Sequence, residues 1–191
     1  MTTPASRVGP LILLAWAAVA VATVGMGFLT RVPFPPPVFV ASGVLFALAM
    51  IVLVPGVAAW LRELDLRVIL SFHLVRFVGA FFLWLAVQGR LPYSFARPAG
   101  IGDIITAVWA AGLLVTGYAR PGKALLFWNL FGVADILFVV FNAVRGIMTD
   151  PASFTEFYHL PLGLLPTFIV PVIIVSHGVV FLRLRSLPAS T

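Results

Sequence analysis

Long apolar runs, separated by proline, glycine and charged residues, dominate the pattern of the chain. Six such runs predict six helices, at Leu11–Leu29, Val38–Leu61, Val68–Val87, Ile101–Tyr118, Ala124–Val144 and Leu162–Leu182. Each run is long enough to cross a hydrocarbon core of about 30 Å at about 1.5 Å per helical residue. The runs are continuous rather than alternating, which argues against the short strands of a membrane barrel. The pattern therefore predicts an all-α, polytopic transmembrane helical bundle with six spans.

Composition supports a lipid environment. Of the 191 residues, 62% are hydrophobic and only 9% are charged, whereas a soluble domain carries about 25% charged residues. So few charges could not cover a water-facing surface, and the lipid bilayer is the expected partner. Six spans leave only short loops, so we expect one transmembrane domain over residues 1–191 and no soluble catalytic domain. The first run exceeds the apolar core of a usual signal peptide and is expected to be a retained span.

The basic residues predict an orientation. The net charge is +6, but no basic patch is interleaved with aromatic residues, so nucleic acid is not an expected partner. Basic residues concentrate in cytoplasmic loops of membrane proteins. One side of the six-span arrangement receives Arg7, Arg62, Arg67, Arg120, Lys123, Arg183 and Arg185, and the other Arg31, Arg90, Arg97 and Arg145. The richer side is predicted to be cytoplasmic, which places both termini there.

Ionisable residues within spans are the candidates for function, because they are costly in lipid. Such residues are His73 and Arg76 in the third span, Asp135 in the fifth and His177 in the sixth. One hypothesis is an interhelical ion pair between Arg76 and Asp135, with both histidines hydrogen-bonded. The other is a polar cavity for a small ligand, cofactor or proton. Asn142 lies seven residues after Asp135, hence on nearly the same face, and is added as a candidate.

The histidines suggest a cofactor hypothesis. By residue counting, His73 and His177 both lie about 8–10 Å from the cytoplasmic edge. Two histidines at matching depth on different helices are suited to axial ligation of haem b. A non-haem metal is not expected, because no carboxylate completes a ligand set at that depth. The chain has no cysteine, which excludes thiolate metal sites and a cysteine nucleophile.

Residues Pro98 to Asp103 form the most motif-like stretch. Pro98 is expected to precede the fourth span, with Asp103 in its first turn at the outer edge, paired with Arg90 or Arg97. Gly100 to Asp103 also spells GxGD, which resembles the motif of intramembrane aspartyl proteases such as presenilin and the prepilin peptidases. Those enzymes need two carboxylates that share a proton. Asp135 is the available partner, expected about 10 Å deeper, and the family's Tyr-Asp pair and Pro-Ala-Leu segment are absent.

Two longer stretches carry a second resemblance. Leu91 to Asp103, and Leu165 to Pro171 followed by Ser176 and His177, resemble runs in uncharacterised six-span bacterial integral membrane proteins. The likeness covers roughly Ser71 to Arg185. It implies a bacterial multi-pass inner-membrane protein and brings no catalytic assignment.

Three functions remain open at this stage. The first is a small inner-membrane protein with a buried polar site for a small ligand, cofactor or proton. The second is a structural or accessory subunit, in a homo-oligomer or a larger membrane complex, whose buried charges only fix helix register. The third is a haem-binding protein or intramembrane enzyme.

Overall fold

The computed structural model describes residues 5–185, and the side chains of residues 7–185. Within that range every regular element is helical. The α-helices are α1 (Ala5–Gly25), α2 (Pro36–Leu53), α3 (Pro55–Glu63), α4 (Leu66–Phe72), α5 (Val78–Val87), α6 (Tyr93–Val115), α7 (Lys123–Thr149) and α8 (Val170–Arg185). Short 3₁₀ segments cover Phe28–Thr30, His73–Phe77 and Pro151–Tyr158, and a π-helical turn covers Leu165–Ile169.

Six helical stretches of the described chain are long and apolar enough to cross a membrane. They are Arg7–Gly25, Pro36–Leu53, Leu66–Val87, Tyr93–Val115, Lys123–Thr149 and Leu165–Arg185. Each overlaps one of the six predicted runs, which confirms the predicted helix class and number of candidate spans. These features indicate a multi-pass membrane protein.

The second predicted run was too long, because a proline divides it. α2 ends at Leu53, and Val54 adopts an extended conformation (φ −116°, ψ 96°) before Pro55 opens α3. Proline disfavours the helical region for the residue before it, so Val54 leaves the helix. Pro55 itself is tolerated at the first helical position, where its missing N–H costs nothing.

The predicted start of the fourth span was wrong, and this changes the position of Asp103. α6 begins at Tyr93 rather than Ile101, and Pro98 lies inside it. Asp103 is therefore ten residues beyond the first residue of the helix, or about 15 Å along its axis. It does not lie in the first turn, where the helix dipole would have stabilised its charge.

The third span changes its helical form at the residues of interest. It runs as α4, then as a 3₁₀ segment over His73–Phe77, then as α5. In a 3₁₀ helix, side chains three residues apart eclipse one another. His73 and Arg76 consequently lie on one face, as predicted, and both are buried.

The chain divides into two compact units. The first comprises the chain up to Leu64 together with Phe154–Val175, and the second comprises Asp65–Ser153 together with the chain from Ser176 onward. The expectation of a single domain stays a prediction. In the first unit, Trp16 donates from Nε1 to the carbonyl of Thr167 at 3.0 Å. Its ring meets those of Phe46 and Phe168 edge-on.

The second unit is built on close helix contacts. α5 and α6 meet at Gly79 and Gly100, where a Cβ added to Gly100 would lie 2.6 Å from the carbonyl oxygen of Gly79. α6 and α7 are joined by a hydrogen bond of 3.1 Å from Trp128 Nε1 to the carbonyl of Thr106. Small residues at such contacts let helix backbones approach closely, and this brings the polar side chains of the unit together.

A buried ionic and imidazole site in the second unit

Arg76 lies at the centre of an ionic cluster that involves three helical spans. Its Nε donates to Asp103 Oδ1 at 2.6 Å, and one terminal nitrogen donates to Asp135 Oδ2. The other terminal nitrogen donates to the backbone carbonyl of Gly132 at 3.2 Å. The side chain of Arg76 is only 1% exposed, and those of Asp103 and Asp135 are 7% and 8% exposed. We call Arg76, Asp103 and Asp135 the ionic cluster.

Glycine makes room for the carboxylate of Asp135. A Cβ added at Gly102 would overlap Asp135 Oδ1, so the carboxylate packs directly against the backbone of α6. The stretch from Gly100 to Asp103 thus has three separate uses. Gly100 contacts α5, Gly102 accommodates Asp135, and Asp103 binds Arg76.

Beside the ionic cluster, three fully buried rings contact one another. The centroid of the His73 ring lies 4.5 Å from that of His177 and 4.8 Å from the ring of Trp128. Trp128 also lies 5.3 Å from His177. All three side chains have no exposed surface. We call His73, Trp128 and His177 the ring cluster.

Each of these histidines is held by a hydrogen bond at one of its two ring nitrogens. His73 Nε2 lies 2.9 Å from Ser176 Oγ, and His177 Nδ1 lies 2.7 Å from Asn129 Oδ1. Among the residues that the structure describes, the buried nitrogens His73 Nδ1 and His177 Nε2 have no hydrogen-bond partner. A buried polar atom without a hydrogen-bond partner lowers the stability of the folded state by about 1–3 kcal/mol. The burial of these two nitrogens therefore requires an explanation, such as a bound ligand.

The tautomer of His177 follows from its contacts. Asn129 Nδ2 donates to the carbonyl of His177 at 3.2 Å, which turns Asn129 Oδ1 toward the imidazole. An amide oxygen only accepts, so His177 Nδ1 must carry the proton of a neutral ring. Nε2 of the neutral ring then carries no proton and presents a lone pair.

Gly132 connects the two clusters. Its carbonyl accepts from Arg76, and its Cα faces the imidazole of His177, where an added Cβ would lie 2.8 Å from Nε2. On the third span, His73 and Arg76 share a 3₁₀ turn. The ionic cluster and the ring cluster are therefore contiguous parts of one buried region.

Most of the predicted candidates come together in this region. The predicted ion pair between Arg76 and Asp135 is present, and the rings of His73 and His177 are in contact. Asn142 stays apart, because its side-chain amide donates to the carbonyl of Phe138 on its own helix.

The predicted outer-edge cluster of Asp103, Arg90 and Arg97 is corrected by the structure. Asp103 is buried and binds Arg76, whereas Arg90 and Arg97 are exposed. The reason is the earlier start of α6, which carries Asp103 about 15 Å into the helix. The expected offset between Asp103 and Asp135 fails for the same reason, since both bind one guanidinium group.

Sequence reasoning missed Asn129 and Trp128. On α7, Asp135 and Asn142 were the predicted polar face. The buried stripe of the helix instead runs through Leu125, Trp128, Asn129, Gly132, Ile136 and Val139. The helical spacing of Asn129, Gly132 and Ile136 would have identified this face, because all three recur at intervals of three or four residues.

The geometry argues against two chemical hypotheses. The two carboxylates of an aspartyl protease lie close enough to share one proton directly, whereas here Asp103 and Asp135 bind different nitrogens of the Arg76 guanidinium. Two imidazoles on opposite faces of haem are separated by the iron and two bonds of about 2 Å, which places their centroids about 6 Å apart. The observed 4.5 Å leaves no room for a porphyrin between them.

Residues 33–185 match the family model described as a domain of unknown function, DUF8737. The chain belongs to this family. The matched region contains every residue of the ionic and ring clusters, so the site lies entirely within the family domain. No curated protein and no solved structure matches the chain.

Proposed function

We propose that the chain is a multi-pass protein of a bacterial inner membrane that binds and releases a proton at the ionic cluster. The observation that carries the proposal is a charge imbalance. One buried guanidinium pairs with two buried carboxylates, so the fully ionised cluster has a net charge of −1. An uncompensated charge away from water is costly, and a proton on one carboxylate removes it.

Asp135 is the better placed of the two acids to exchange the proton. Asp103 is buried as a whole residue, whereas Asp135 is only partly buried. We therefore assign the exchangeable proton to Asp135, with Asp103 as the permanent counterion of Arg76. Charge changes of this kind are used by proton relays and proton-linked transporters.

The thermal stability of the protein should depend on pH because the folded state binds this proton. If the folded state binds a proton that the unfolded state has lost, the free energy of unfolding falls as pH rises, by at most about 1.4 kcal/mol per pH unit. We expect this decline for the wild-type protein to begin above about pH 4, where an unfolded aspartate loses its proton, and to end where the folded cluster loses its own. Asp135→Asn should remove most of the decline, because the cluster is then neutral at every pH. The measurement is the Tm of purified protein in detergent as a function of pH.

Two further variants test whether the net charge of the ionic cluster causes the pH dependence. Asp103→Asn with Asp135→Asn leaves Arg76 without a counterion and should lower the Tm at all pH values. Glu63→Gln, at an exposed carboxylate, is the matched control and should keep the wild-type pH dependence. An unchanged pH dependence in Asp135→Asn would contradict the proposal.

A second candidate is the structural or accessory subunit. It is favoured by the arrangement of Arg76, which is held by partners on both α6 and α7 and so fixes the register of three spans. Under this hypothesis, Asp135→Asn destabilises the protein equally at every pH, and the protein co-purifies with a larger complex.

The proposed orientation has a direct test. Positive charges predict that both termini are cytoplasmic and that the loop after α5 is periplasmic. A phosphatase that is active only in the periplasm should be active when inserted after Gly89 and inactive when fused to the C-terminus. The reverse pattern would show that the orientation is wrong.

A further inference from the structure

Asp135 lies at the exposed edge of the contact between α6 and α7. Its side chain is 8% exposed, and Ala134 and Phe138, before and after it on α7, are exposed. Asp135 Oδ2 accepts a hydrogen bond from Arg76. Oδ1 packs against the backbone of Gly102 and accepts no hydrogen bond from a described residue. The carboxylate therefore keeps one oxygen for a further partner.

Aromatic side chains flank Asp135 on its exposed side. Phe131 precedes it on α7 by four residues and Phe138 follows it by three, so both are its neighbours on the helix surface. The ring of Trp109, on α6, lies 6.0 Å from that of Phe131. Ala134 lies between the two phenylalanines, and its small side chain leaves space there. We call Trp109, Phe131 and Phe138 the aromatic patch.

We propose that Asp135 and the aromatic patch bind a lipophilic monovalent organic cation, which enters from the bilayer in competition with the proton. This inference rests on the proposed function and names a substrate class for the same carboxylate. Aromatic faces attract organic cations through the negative charge of their π-systems. Trp109 and Phe138 are 36% and 46% exposed, so both are accessible to a molecule dissolved in lipid.

The charge of the ionic cluster is suited to one positive charge. The charged groups that face Asp135 are Arg76 from the third span and Asp103 from α6. With both carboxylates ionised, the net charge is −1, and either a proton or a monovalent cation makes it zero. Both together would leave an excess positive charge away from water, which is unfavourable. The two ligands should therefore exclude each other.

The depth of Asp135 favours a lipophilic cation over other cations. It lies twelve residues beyond Lys123, the first residue of α7, or about 18 Å along the helix axis. A lipid headgroup amine lies at the membrane surface and does not reach this depth. Inorganic cations need several oxygen ligands, and no group of three or more His, Asp or Glu side chains in the described chain is arranged to hold one.

Calorimetry with tetraphenylphosphonium tests the site, because the charge of this probe does not change with pH. Wild-type protein in nanodiscs of zwitterionic lipid should bind one probe per chain, with saturation. Binding should release protons, and the affinity should be at least tenfold weaker at about pH 5 than at about pH 9. Triphenylphosphine oxide, a neutral molecule of similar shape, should not bind saturably. Equal binding of the neutral molecule would show partition into lipid and overturn the proposal.

Variants locate the site. Asp135→Asn should lower the affinity at least tenfold, and Phe131→Leu, which keeps every charge, at least threefold. Phe127→Leu is the matched control, because Phe127 is an exposed phenylalanine of α7 two turns before Asp135, and it should bind as the wild type does. Equal affinities of the wild type, Asp135→Asn and Phe131→Leu would contradict the assignment.

The cation site and the proton site can fail separately. A pH-dependent Tm that requires Asp135, without saturable binding of the probe, would overturn the cation site and leave the proton site intact. Saturable binding that requires Asp135 but releases no proton at any pH would support the cation site and contradict the competition with a proton.

Discussion

Replacing Arg76 by leucine should destabilise the protein more than any other single substitution in the ionic cluster. The change leaves the carboxylates of Asp103 and Asp135 buried without their common counterion. Removing one partner of a buried ion pair typically costs about 3–5 kcal/mol, and two acids lose their partner here. The measurement is the Tm or the free energy of unfolding in detergent at about pH 8, where unpaired aspartates in water are ionised. Arg97→Leu, at an exposed arginine of α6, should change stability by less than about 0.5 kcal/mol.

Recovery requires that all three charges are removed together. Replacing only Arg76 and Asp135 leaves Asp103 unpaired, so Arg76→Leu with Asp135→Asn should recover part of the loss. Adding Asp103→Asn makes the cluster neutral and should recover more than half of it. Asparagine is used because Asp103 has little room for a larger side chain, since a Cβ added at Gly79 would lie 3.0 Å from its Cβ. Independent, additive losses from the three substitutions would show that the charges do not act as one cluster.

The sequence predicted the helical class, the number of candidate spans and the pairing of Arg76 with Asp135. These succeeded because they rest on strong physical constraints. Apolar length sets the number of spans, and a deeply buried guanidinium needs an acid. Residue counting gave His73 and His177 matching depths in two spans that begin and end near the predicted positions, and the structure shows that their rings are in contact.

The burial of Asp103 and its bond to Arg76 could not be predicted from the sequence. Its burial depends on where α6 begins, and the apolar pattern placed that start at Ile101 because Pro98 and Arg97 interrupt it. The helix instead begins at Tyr93 and includes both residues. Proline is tolerated inside a span when neighbouring groups satisfy the carbonyl that it frees, and a single sequence does not show such neighbours.

The ionisable residues of the buried region could be predicted from the sequence, but its neutral polar residue could not. Ionisable side chains are recognisable in an apolar span from the sequence alone, so His73, Arg76, Asp135 and His177 were all identified. Asn129 is neutral, and its importance depends on its contact with His177 across two helices. Partners that are far apart in sequence and neutral in charge are therefore the ones that only the folded structure shows.

Gly100→Ala is the second substitution for which we expect a large effect. The new methyl group would lie 2.6 Å from the carbonyl oxygen of Gly79 and 3.1 Å from Leu83 Cγ. A backbone oxygen cannot move as a side chain does, so α5 and α6 must separate. Overpacking of this kind costs about 1–3 kcal/mol. Gly112→Ala, at an exposed position of the same helix with nothing within 4 Å of the added Cβ, is the matched control. It should be neutral or stabilising by up to about 1 kcal/mol.

The loss in Gly100→Ala should depend on Arg76. Asp103 follows Gly100 by three residues on α6, so separation of the helices stretches its bond of 2.6 Å to Arg76 Nε. If this is the main cost, Gly100→Ala should cost less in a background that already carries Arg76→Leu, Asp103→Asn and Asp135→Asn. A coupling of about 0.5–3 kcal/mol is typical of residues that act through a shared network. A loss of the same size in both backgrounds would show that Gly100 serves helix packing alone and that the ionic cluster does not depend on the close contact of α5 and α6.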